Sequence, residues 1–278
     1  MRSCKRSILQ QVFLTLVCVA FASLIVLPIL YCFDLSFFTK KEYYAWPPKF
    51  LPGSLNLDNY RDALAYAPFF RYILNSMIVS VGCMAFQLVT GALAGYGFAM
   101  LKFRGKSLLF SLVLCTMMIP MQTVMIANYL TISQMRLLDT YAGLMAPYCV
   151  SAFCVFNMRQ AFLQVPLSIK EAADIDGCSK LRFFFSIGLP LVRPSLGALG
   201  IYTFIQVWNL YIWPFLVTNS TEMRTVQVGL GMLNDTESPV SYGIIMAGAS
   251  IVLVPTIIIF IAGQKQLING IMSGAVKG

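Results

Sequence analysis

Six stretches of this chain are apolar over about 20 positions each, the length of helix that crosses the hydrocarbon core of a bilayer. The stretches are Val12–Phe33, Ile73–Met100, Leu108–Ile132, Tyr141–Met158, Leu196–Thr218 and Gly243–Ala262. Charged residues make up only 11% of the chain, whereas a soluble domain carries about 25%. We therefore expect an all-α membrane protein with six transmembrane helices.

Basic residues are unevenly distributed among the segments that connect these predicted spans. With the N-terminus in the cytoplasm, the cytoplasmic segments hold 13 of the 20 lysines and arginines. They are Arg2, Lys5, Arg6, Lys102, Arg104, Lys106, Arg159, Lys170, Lys180, Arg182, Arg193, Lys265 and Lys277. Short cytoplasmic loops normally carry such an excess, so we expect both termini to face the cytoplasm. The net charge of +9 is then suited to the anionic lipid of the bilayer and does not call for nucleic acid.

The predicted spans contain no Asp, Glu, Lys, Arg or His, which argues against two classes of function. A carrier driven by protons needs ionisable groups at membrane depth, so a secondary carrier is a weaker alternative. A membrane-embedded enzyme is also disfavoured, because the chain has no histidine and no carboxylate in the spans for acid–base work. The eight cysteines form no CxxC pair, so we expect no metal site and no catalytic residue.

A nucleotide site is not predicted in this chain either. Gly105-Lys106-Ser107 has the ending of a phosphate-binding loop, but Met100 stands where that loop needs a glycine. The motif also requires a strand before it and a helix after it, and here it lies between two predicted spans. We expect no cofactor in this chain.

The segment between the fourth and fifth spans, residues 159–195, carries specific helix signals. Ser168 and Glu171 have the spacing of a capping box and predict a helix that starts near Ile169. Gly177 suits the left-handed residue that closes a helix. Ser179 is then expected to cap a second short helix, which should stop before Pro190, and Pro194 to open the fifth span. The sequence predicts a helix, a glycine turn and a second helix, with Glu171 and Asp174 sharing one face.

This segment resembles the EAA loop of bacterial ABC importer permeases. Glu171-Ala172-Ala173, Gly177 after three residues, and Ile187-x-Leu189-Pro190 after nine more fill every fixed position of that motif. Further matches to the maltose-type and glycerol-phosphate-type carbohydrate permeases extend over nearly the whole chain. These are Asn75-Ser76, Ala94-Gly95-Tyr96, Phe103-Arg104-Gly105, Pro120, Trp208-Asn209 and Gly274-Ala275-Val276-Lys277-Gly278. Cys178 departs from the family, which more often has alanine there. The similarity is strongest to the smaller, six-span partner of the permease pair.

The resemblance implies a type I ABC importer permease fold in a bacterial plasma (inner) membrane, with an anchor span and outer loop in residues 1–72 and a five-span domain in 73–278. It also implies four kinds of partner: a second homologous permease subunit, two ATPase subunits that bind ATP and magnesium, an extracytoplasmic substrate-binding protein, and the lipid bilayer. The chain itself would not be an enzyme. The residues implied in coupling to the ATPase are Glu171, Ala172, Ala173, Asp174, Gly177 and Leu181.

Three other segments acquire roles from the resemblance. The tail residues Gly274, Ala275, Lys277 and Gly278 would lie at the ATPase interface, or would form a frayed end. The outer loop Asn219–Ser241 would reach into the binding protein, or would be a solvated connector. Gln206, Trp208, Asn209 and Tyr211 would line the transport path, although interhelical hydrogen bonding explains such polar groups equally well.

The substrate remains open between two branches of the same family. We expect a sugar or an oligosaccharide. The alternative is glycerol 3-phosphate or a glycerophosphodiester, because Leu138-Asp139-Thr140-Tyr141-Ala142-Gly143-Leu144 and Trp208-Asn209 resemble that branch as well.

Overall fold

The computed structural model describes the backbone of residues 8–234 and 242–275, and the side chains of residues 10–234 and 242–266. The described residues form α-helices, here numbered α1 to α15 in chain order. They are α1 (Ile8–Leu35), α2 (Lys40–Tyr43), α3 (Asp58–Tyr66), α4 (Phe69–Met100), α5 (Lys106–Thr116), α6 (Met121–Gln134), α7 (Tyr141–Met145), α8 (Ala152–Leu163), α9 (Leu167–Ile175), α10 (Lys180–Phe183), α11 (Leu189–Leu191), α12 (Arg193–Trp208), α13 (Ile212–Val217), α14 (Val226–Leu233) and α15 (Tyr242–Ala275). Short 3-10 turns cover Ala146–Tyr148 and Thr221–Met223, and a π-helical turn covers Phe184–Gly188. No strand occurs in these described ranges, and the all-α prediction is confirmed.

Three of the described helices are individually long and apolar enough to cross a membrane. They are α1, α4 and α15, and they coincide with the first, second and sixth predicted spans. Pro28 lies inside α1 and Pro255 inside α15. Proline is tolerated inside a membrane helix where a neighbouring group or a local adjustment of the backbone satisfies the freed carbonyl group.

The remaining predicted spans are interrupted, so six spans are reached only if each bent helix pair is counted as one. α5 and α6 meet at 93°, where Pro120 precedes α6 in an extended conformation. The residue before a proline is biased away from the helical region, which explains the break. α7 and its 3-10 turn meet α8 at 51°. The predicted span Leu196–Thr218 is divided into α12 and α13, and the helical stretch Lys180–Leu191 meets α12 at 75°.

The chain divides into two compact units. The first comprises Met1–Pro68 and Leu230–Leu253, and the second comprises Phe69–Gly229 and Val254–Gly278. The predicted division into residues 1–72 and 73–278 stays a prediction.

In the first unit, buried side chains of α3 fasten the end of α1. The Asn59 amide donates to the carbonyl oxygens of Ser36 (2.8 Å) and Phe38 (2.7 Å). Nearby, Glu42 accepts the backbone N–H groups of Thr39 (2.9 Å) and Gly53 (2.8 Å). These hydrogen bonds, that from Thr39 first, lower the pKa of the Glu42 carboxyl to about 2. At neutral pH the Glu42 carboxyl is therefore ionised, and in that form it accepts the hydrogen bonds that hold the loop after α1.

In the second unit, glycines bring α4 and α8 into close contact. A Cβ added at Gly91 would lie 2.9 Å from the Cβ of Cys154. One added at Gly95 would lie 2.6 Å from the Cβ of Met158 and 2.8 Å from the backbone nitrogen of Arg159. Small residues allow this approach, which is how helices pack tightly inside membranes.

A buried polar group then links these two helices to α12. The Gln87 amide donates to the carbonyl oxygen of Tyr148 (2.6 Å), and its oxygen accepts from the Thr203 hydroxyl (3.3 Å) and the Cys154 thiol (3.5 Å). Such bonds join membrane helices because the alternative is an unpaired polar group in an apolar surrounding. α4, α8 and α12 therefore form one packed frame.

The close contact at Gly95 predicts that a larger side chain destabilises the protein there but not at Gly97. Gly95→Val forces backbone or Cβ atoms apart, and we expect it to destabilise the detergent-solubilised protein by about 1–3 kcal/mol, the usual cost of overpacking. Gly97→Val is the matched control, because an added Cβ at Gly97 meets no atom within 4 Å. The free energy of unfolding in a mixed-micelle titration measures both. Equal losses in the two variants would contradict the packing described.

Candidate docking site

The segment predicted as helix, turn and helix consists of α9, a glycine turn and α10. α9 begins at Leu167, directly after Pro166, and the N–H of Ile169 donates to the Pro166 carbonyl at 3.1 Å. The predicted capping box is wrong, because no side chain caps this helix and Ser168 lies inside its first turn. Pro166 occupies the N-cap position instead, with its φ already close to the helical value.

The prediction for Gly177 is confirmed. Its φ is +70°, in the left-handed region. The N–H of Cys178 donates to the Ala173 carbonyl (2.9 Å), and the N–H of Gly177 donates to the Asp174 carbonyl (3.2 Å). This pair of hydrogen bonds is the Schellman motif, which satisfies the last carbonyl groups of a helix. Since α9 ends in this turn, its direction relative to α10 is fixed.

The second helix starts as predicted, but the helical stretch that it opens, Lys180–Leu191, ends later than predicted. The Ser179 side chain accepts the N–H of Arg182 (3.3 Å) and caps α10. The expected stop before Pro190 is wrong, because the chain continues through the π turn into α11. In that turn the N–H of Leu189 reaches back five residues to the Phe184 carbonyl. The wider turn precedes Pro190, whose ring would meet the carbonyl four residues earlier in a regular α-helix.

The inner face of α9 packs against the membrane helices. Ala173 is 6% exposed and belongs to a cluster with Tyr96, Phe162, Phe183 and Phe184. The resemblance implies that both alanines of the motif take part in coupling to a partner. The structure separates them: Ala172 is exposed, and Ala173 faces the chain's own core.

The outer face of α9 is apolar with an acidic residue at its centre. Leu167 is 65% exposed and Ile175 is 86% exposed, and exposed Glu171 lies between them at a spacing of four residues. Residues four apart lie on one face of a helix, so these three form a stripe, here called the α9 stripe. Asp174 and Leu181 are also exposed. The periodic spacing of Leu167 and Ile175 about Glu171 is a signal that the sequence analysis missed.

Tyr96 links α4 to the hairpin that α9, the Gly177 turn and α10 form, a role that the sequence did not predict. Its hydroxyl donates to the carbonyl oxygen of Lys180 at 3.0 Å, at the first residue of α10. Its ring centroid lies 5.5 Å from that of Phe162 and 5.1 Å from that of Phe184. The neighbouring Gly95, which lets α8 approach, places Tyr96 within reach of both helices. A shift of the hairpin is therefore passed directly to α4.

The start of the predicted outer loop, Asn219–Ser241, is held by a carboxylate. Asp139 has a φ of 55°. Its Oδ1 accepts the N–H groups of Asn219 and Ser220, both at 2.7 Å, and its own N–H donates to the Val217 carbonyl (2.9 Å). Residues 235–241 of the loop lie outside the described residues.

A buried amide holds the next part of the same loop. Asn75 on α4 donates to the carbonyl oxygens of Glu222 (2.7 Å) and Arg224 (2.8 Å), and its oxygen accepts from the Tyr141 hydroxyl (2.8 Å). The Ser76 hydroxyl accepts the N–H of Val226 at 2.9 Å. The motif Asn75-Ser76, quoted above only for its resemblance, thus fixes the base of this loop.

The four residues predicted to line a path lie at the junction of α12 and α13. Trp208 is 1% exposed and stacks on Phe204 with ring centroids 5.7 Å apart. The side chains of Gln206, Asn209 and Tyr211 are exposed, and Asn209 accepts a hydrogen bond from Gln227 at 3.2 Å. Their assignment to a path stays a prediction.

The tail residues and the absence of a metal site also stay predictions. Gly274 and Ala275 belong to the end of α15, beyond the last described side chain, while Lys277 and Gly278 lie outside the described residues. Within the described ranges, no three histidine, cysteine, aspartate or glutamate side chains are grouped as a metal site requires.

Comparison with known proteins gives concordant results. Residues 87–269 match the family model described as binding-protein-dependent transport system inner membrane component. The chain is 33% identical over 228 residues to the arabinooligosaccharides transport system permease protein AraQ of Bacillus subtilis (strain 168), covering 82% of this chain and 81% of that protein. It is 30% identical over 257 residues to the sn-glycerol-3-phosphate transport system permease protein UgpE of Escherichia coli O1:K1 / APEC. That match covers 90% of this chain and 92% of that protein.

The fold is also found in a solved structure. A chain from the crystal structure of a bacterial ABC transporter involved in the import of the acidic polysaccharide alginate superposes with a TM-score of 0.77. The match covers 95% of this chain and 98% of that chain, at 24% sequence identity. The predicted ABC importer permease fold is thereby confirmed.

The left-handed turn at Gly177 predicts that the hairpin tolerates asparagine there and rejects valine. Left-handed backbone costs about 1–2 kcal/mol for a residue with a Cβ, a β-branched residue fares worst, and asparagine is tolerated. An added Cβ at Gly177 meets no atom within 4 Å, so only the backbone conformation is tested. Amide hydrogen exchange over residues 167–185 should accelerate in Gly177→Val and stay near wild type in Gly177→Asn. Unchanged exchange in Gly177→Val would contradict the assignment.

Proposed function

The chain belongs to the family of binding-protein-dependent transport system inner membrane components, and on that premise we propose that it is one permease subunit of an ATP-driven importer for a sugar or oligosaccharide. It is a transporter permease and not an enzyme. We propose that two partner ATPase subunits bind ATP and magnesium, and that a second permease subunit completes the path.

The observation that carries this proposal is the α9 stripe. Leu167 and Ile175 are large apolar side chains that the chain leaves exposed on a short helix, and exposed Glu171 stands between them. Exposed apolar groups with polar neighbours are typical of protein interaction sites. The stripe therefore fits a groove on an ATPase subunit that combines an apolar floor with a basic side chain for Glu171.

The opposite face of α9 explains how docking can move the membrane helices. Ala173 is buried among aromatic side chains, and Tyr96 on α4 holds the first residue of α10 by a hydrogen bond. α4 is itself packed against α8 at Gly91 and Gly95. When the ATPase subunits move on ATP binding, the hairpin carries this frame as a rigid body, which opens the path to alternate sides of the membrane.

We propose that the loop from Asn219 onward contacts the substrate-binding protein. Its base is held by Asp139 and Asn75, so a binding protein would meet a preorganised surface. The excess of basic residues in the opposite segments supports an orientation with both termini in the cytoplasm and this loop outside.

A neutral carbohydrate suits the groups near the proposed path better than a phosphate ester does. Gln206, Asn209 and Tyr211 offer amide and hydroxyl groups and carry no positive charge. Phosphate recognition usually relies on arginine or lysine, which argues for a sugar or oligosaccharide. Glycerol 3-phosphate or a glycerophosphodiester stays the second candidate, since one relative is a glycerol-3-phosphate permease protein.

The substrate assignment is tested by uptake in proteoliposomes. They would contain the chain, its second permease subunit, both ATPase subunits and the binding protein encoded beside them. We expect ATP-dependent accumulation of a labelled arabinooligosaccharide or related sugar. Accumulation of glycerol 3-phosphate alone would transfer the chain to the second branch, and uptake without ATP would contradict the proposed class.

Docking of the α9 stripe predicts the effect of charge reversal at Glu171. Glu171→Lys places a positive charge against a basic groove, and we expect at least a tenfold loss of ATP-dependent transport, the factor for about 1.4 kcal/mol. Asp62→Lys makes the same charge change at an exposed position of α3 and should transport normally. Insertion of both variants is checked by their yield in membranes. Transport near the wild-type rate in Glu171→Lys would show that Glu171 does not dock.

The tail gives a separate prediction. Residues 273–278 include the small residues Gly274, Ala275 and Gly278, and Lys277 is their one charged side chain. We propose that they enter a narrow interface between the ATPase subunits. Deletion of residues 273–278 should lower transport while membrane insertion stays normal. A structure of the whole complex with this segment free in solvent would contradict the role.

A further inference from the structure

An apolar groove lies in the second unit, on a surface that the proposed mechanism does not use. Its volume is about 580 Å³, within the range of roughly 300–1,000 Å³ that is typical of ligand sites. α4 forms one wall and α12 the other, and the aromatic residues Phe184 and Phe185 of the π turn close one end. The floor stays open partly because Gly197 and Gly200 of α12 carry no side chain.

The lining of the groove is almost entirely apolar, with two polar side chains. Apart from Arg193 and Gln266, every lining residue is apolar or glycine. Arg193 stands at the first residue of α12, and Ile201 marks the other end of the lining along this helix. Arg193 and Ile201 are eight positions apart, which corresponds to about 12 Å along a helix. The groove therefore extends about 12 Å along α12 from Arg193.

The charge of Arg193 is uncompensated within the described residues. Its side chain is exposed, and no described acidic side chain lies within ion-pair distance of it. It begins the helix that follows the α9–α10 hairpin, where the chain enters the membrane. Long basic side chains near the end of a membrane helix reach the interface with the headgroups, and basic pockets between membrane helices bind anionic headgroups.

From this arrangement we propose that the groove binds one anionic phospholipid. An acyl chain lies along the apolar floor between α4 and α12, and the phosphate group is bound by the guanidinium of Arg193. Gln266 on α15 offers an amide to the same headgroup. The bound lipid contacts Phe184 and Phe185, so it lies against the hairpin that carries the α9 stripe and stabilises its position.

The competing occupant is a helix of the second permease subunit. A helix that matched the floor would present apolar side chains, and apolar side chains would leave the Arg193 charge unpaired. Burying or crowding an unpaired charge is costly, whereas a lipid phosphate supplies the matching charge together with the apolar chain. Charge complementarity therefore favours the phospholipid.

The test uses the assembled importer, with its second permease and ATPase subunits, in nanodiscs of equal parts phosphatidylglycerol and phosphatidylethanolamine. Each lipid is supplied in turn with a photoreactive group on its acyl chain, and the crosslinked peptides are mapped. We expect phosphatidylglycerol to label residues 184–201 about fivefold more than phosphatidylethanolamine, the factor that one basic residue near the surface contributes.

Five variants separate the effects of charge, shape and folding. Arg193→Gln should abolish the preference for phosphatidylglycerol, and Arg193→Lys should retain it. Gly200→Leu should remove labelling by both lipids, because its side chain extends toward Leu88 and Met84 across the floor. Gly97→Leu is its matched control, on a surface where an added Cβ meets no atom within 4 Å. Arg104→Gln removes an exposed charge outside the groove and should leave the preference intact.

Two results would overturn the proposal. The first is equal labelling of residues 184–201 by both lipids in the wild-type complex. The second is the absence of lipid labelling there, together with crosslinks from Leu93→Cys in the groove to the second permease subunit. Substrate uptake by the same complexes is measured independently, so a wrong substrate assignment would not alter either result.

Discussion

The close contact between α4 and α8 at Gly91 and Gly95 is the constraint on which the second unit depends. Because a Cβ at Gly95 would collide with the Cβ of Met158 and the backbone of the next residue, the two helices can meet only where the side chain is absent. The contact positions Tyr96 beside Phe162, from which its hydroxyl reaches the α10 backbone. Without this approach, the hairpin that follows α8 would lose its main attachment to α4.

The two faces of α9 give the residues of the motif Glu171-Ala172-Ala173 different roles. Ala173 is small because it is packed against the chain's own aromatic residues, and Ala172 is small on a surface that is open to a partner. Glu171 indicates a docking surface only together with Leu167 and Ile175 on either side of it, since a carboxylate alone would be well solvated. The docking surface that we propose is thus an apolar stripe with one charge at its centre, firmly attached through its reverse side.

Much of this could be predicted from the sequence, for identifiable physical reasons. Long apolar runs specify membrane helices, and Gly177 specifies a left-handed turn because a residue with a Cβ pays for that conformation. The start of α9 differs from the prediction because Pro166 occupies the N-cap position that the capping box assigned to Ser168. The π turn before Pro190, the inward direction of Ala173 and the hydrogen bonds of Tyr96 depend on contacts between distant segments. A periodicity argument within one segment does not contain that information.

The most direct test of the docking account is the accessibility of the two faces of α9. In a background without native cysteines, Ile175→Cys and Ala173→Cys would be labelled with a membrane-impermeant maleimide in inside-out vesicles, with and without the ATPase subunits. The account predicts fast labelling of Ile175→Cys in the permease alone, strong protection when the ATPase subunits are bound, and slow labelling of Ala173→Cys in both. Labelling of Ile175→Cys at the same fast rate in the assembled complex would contradict it.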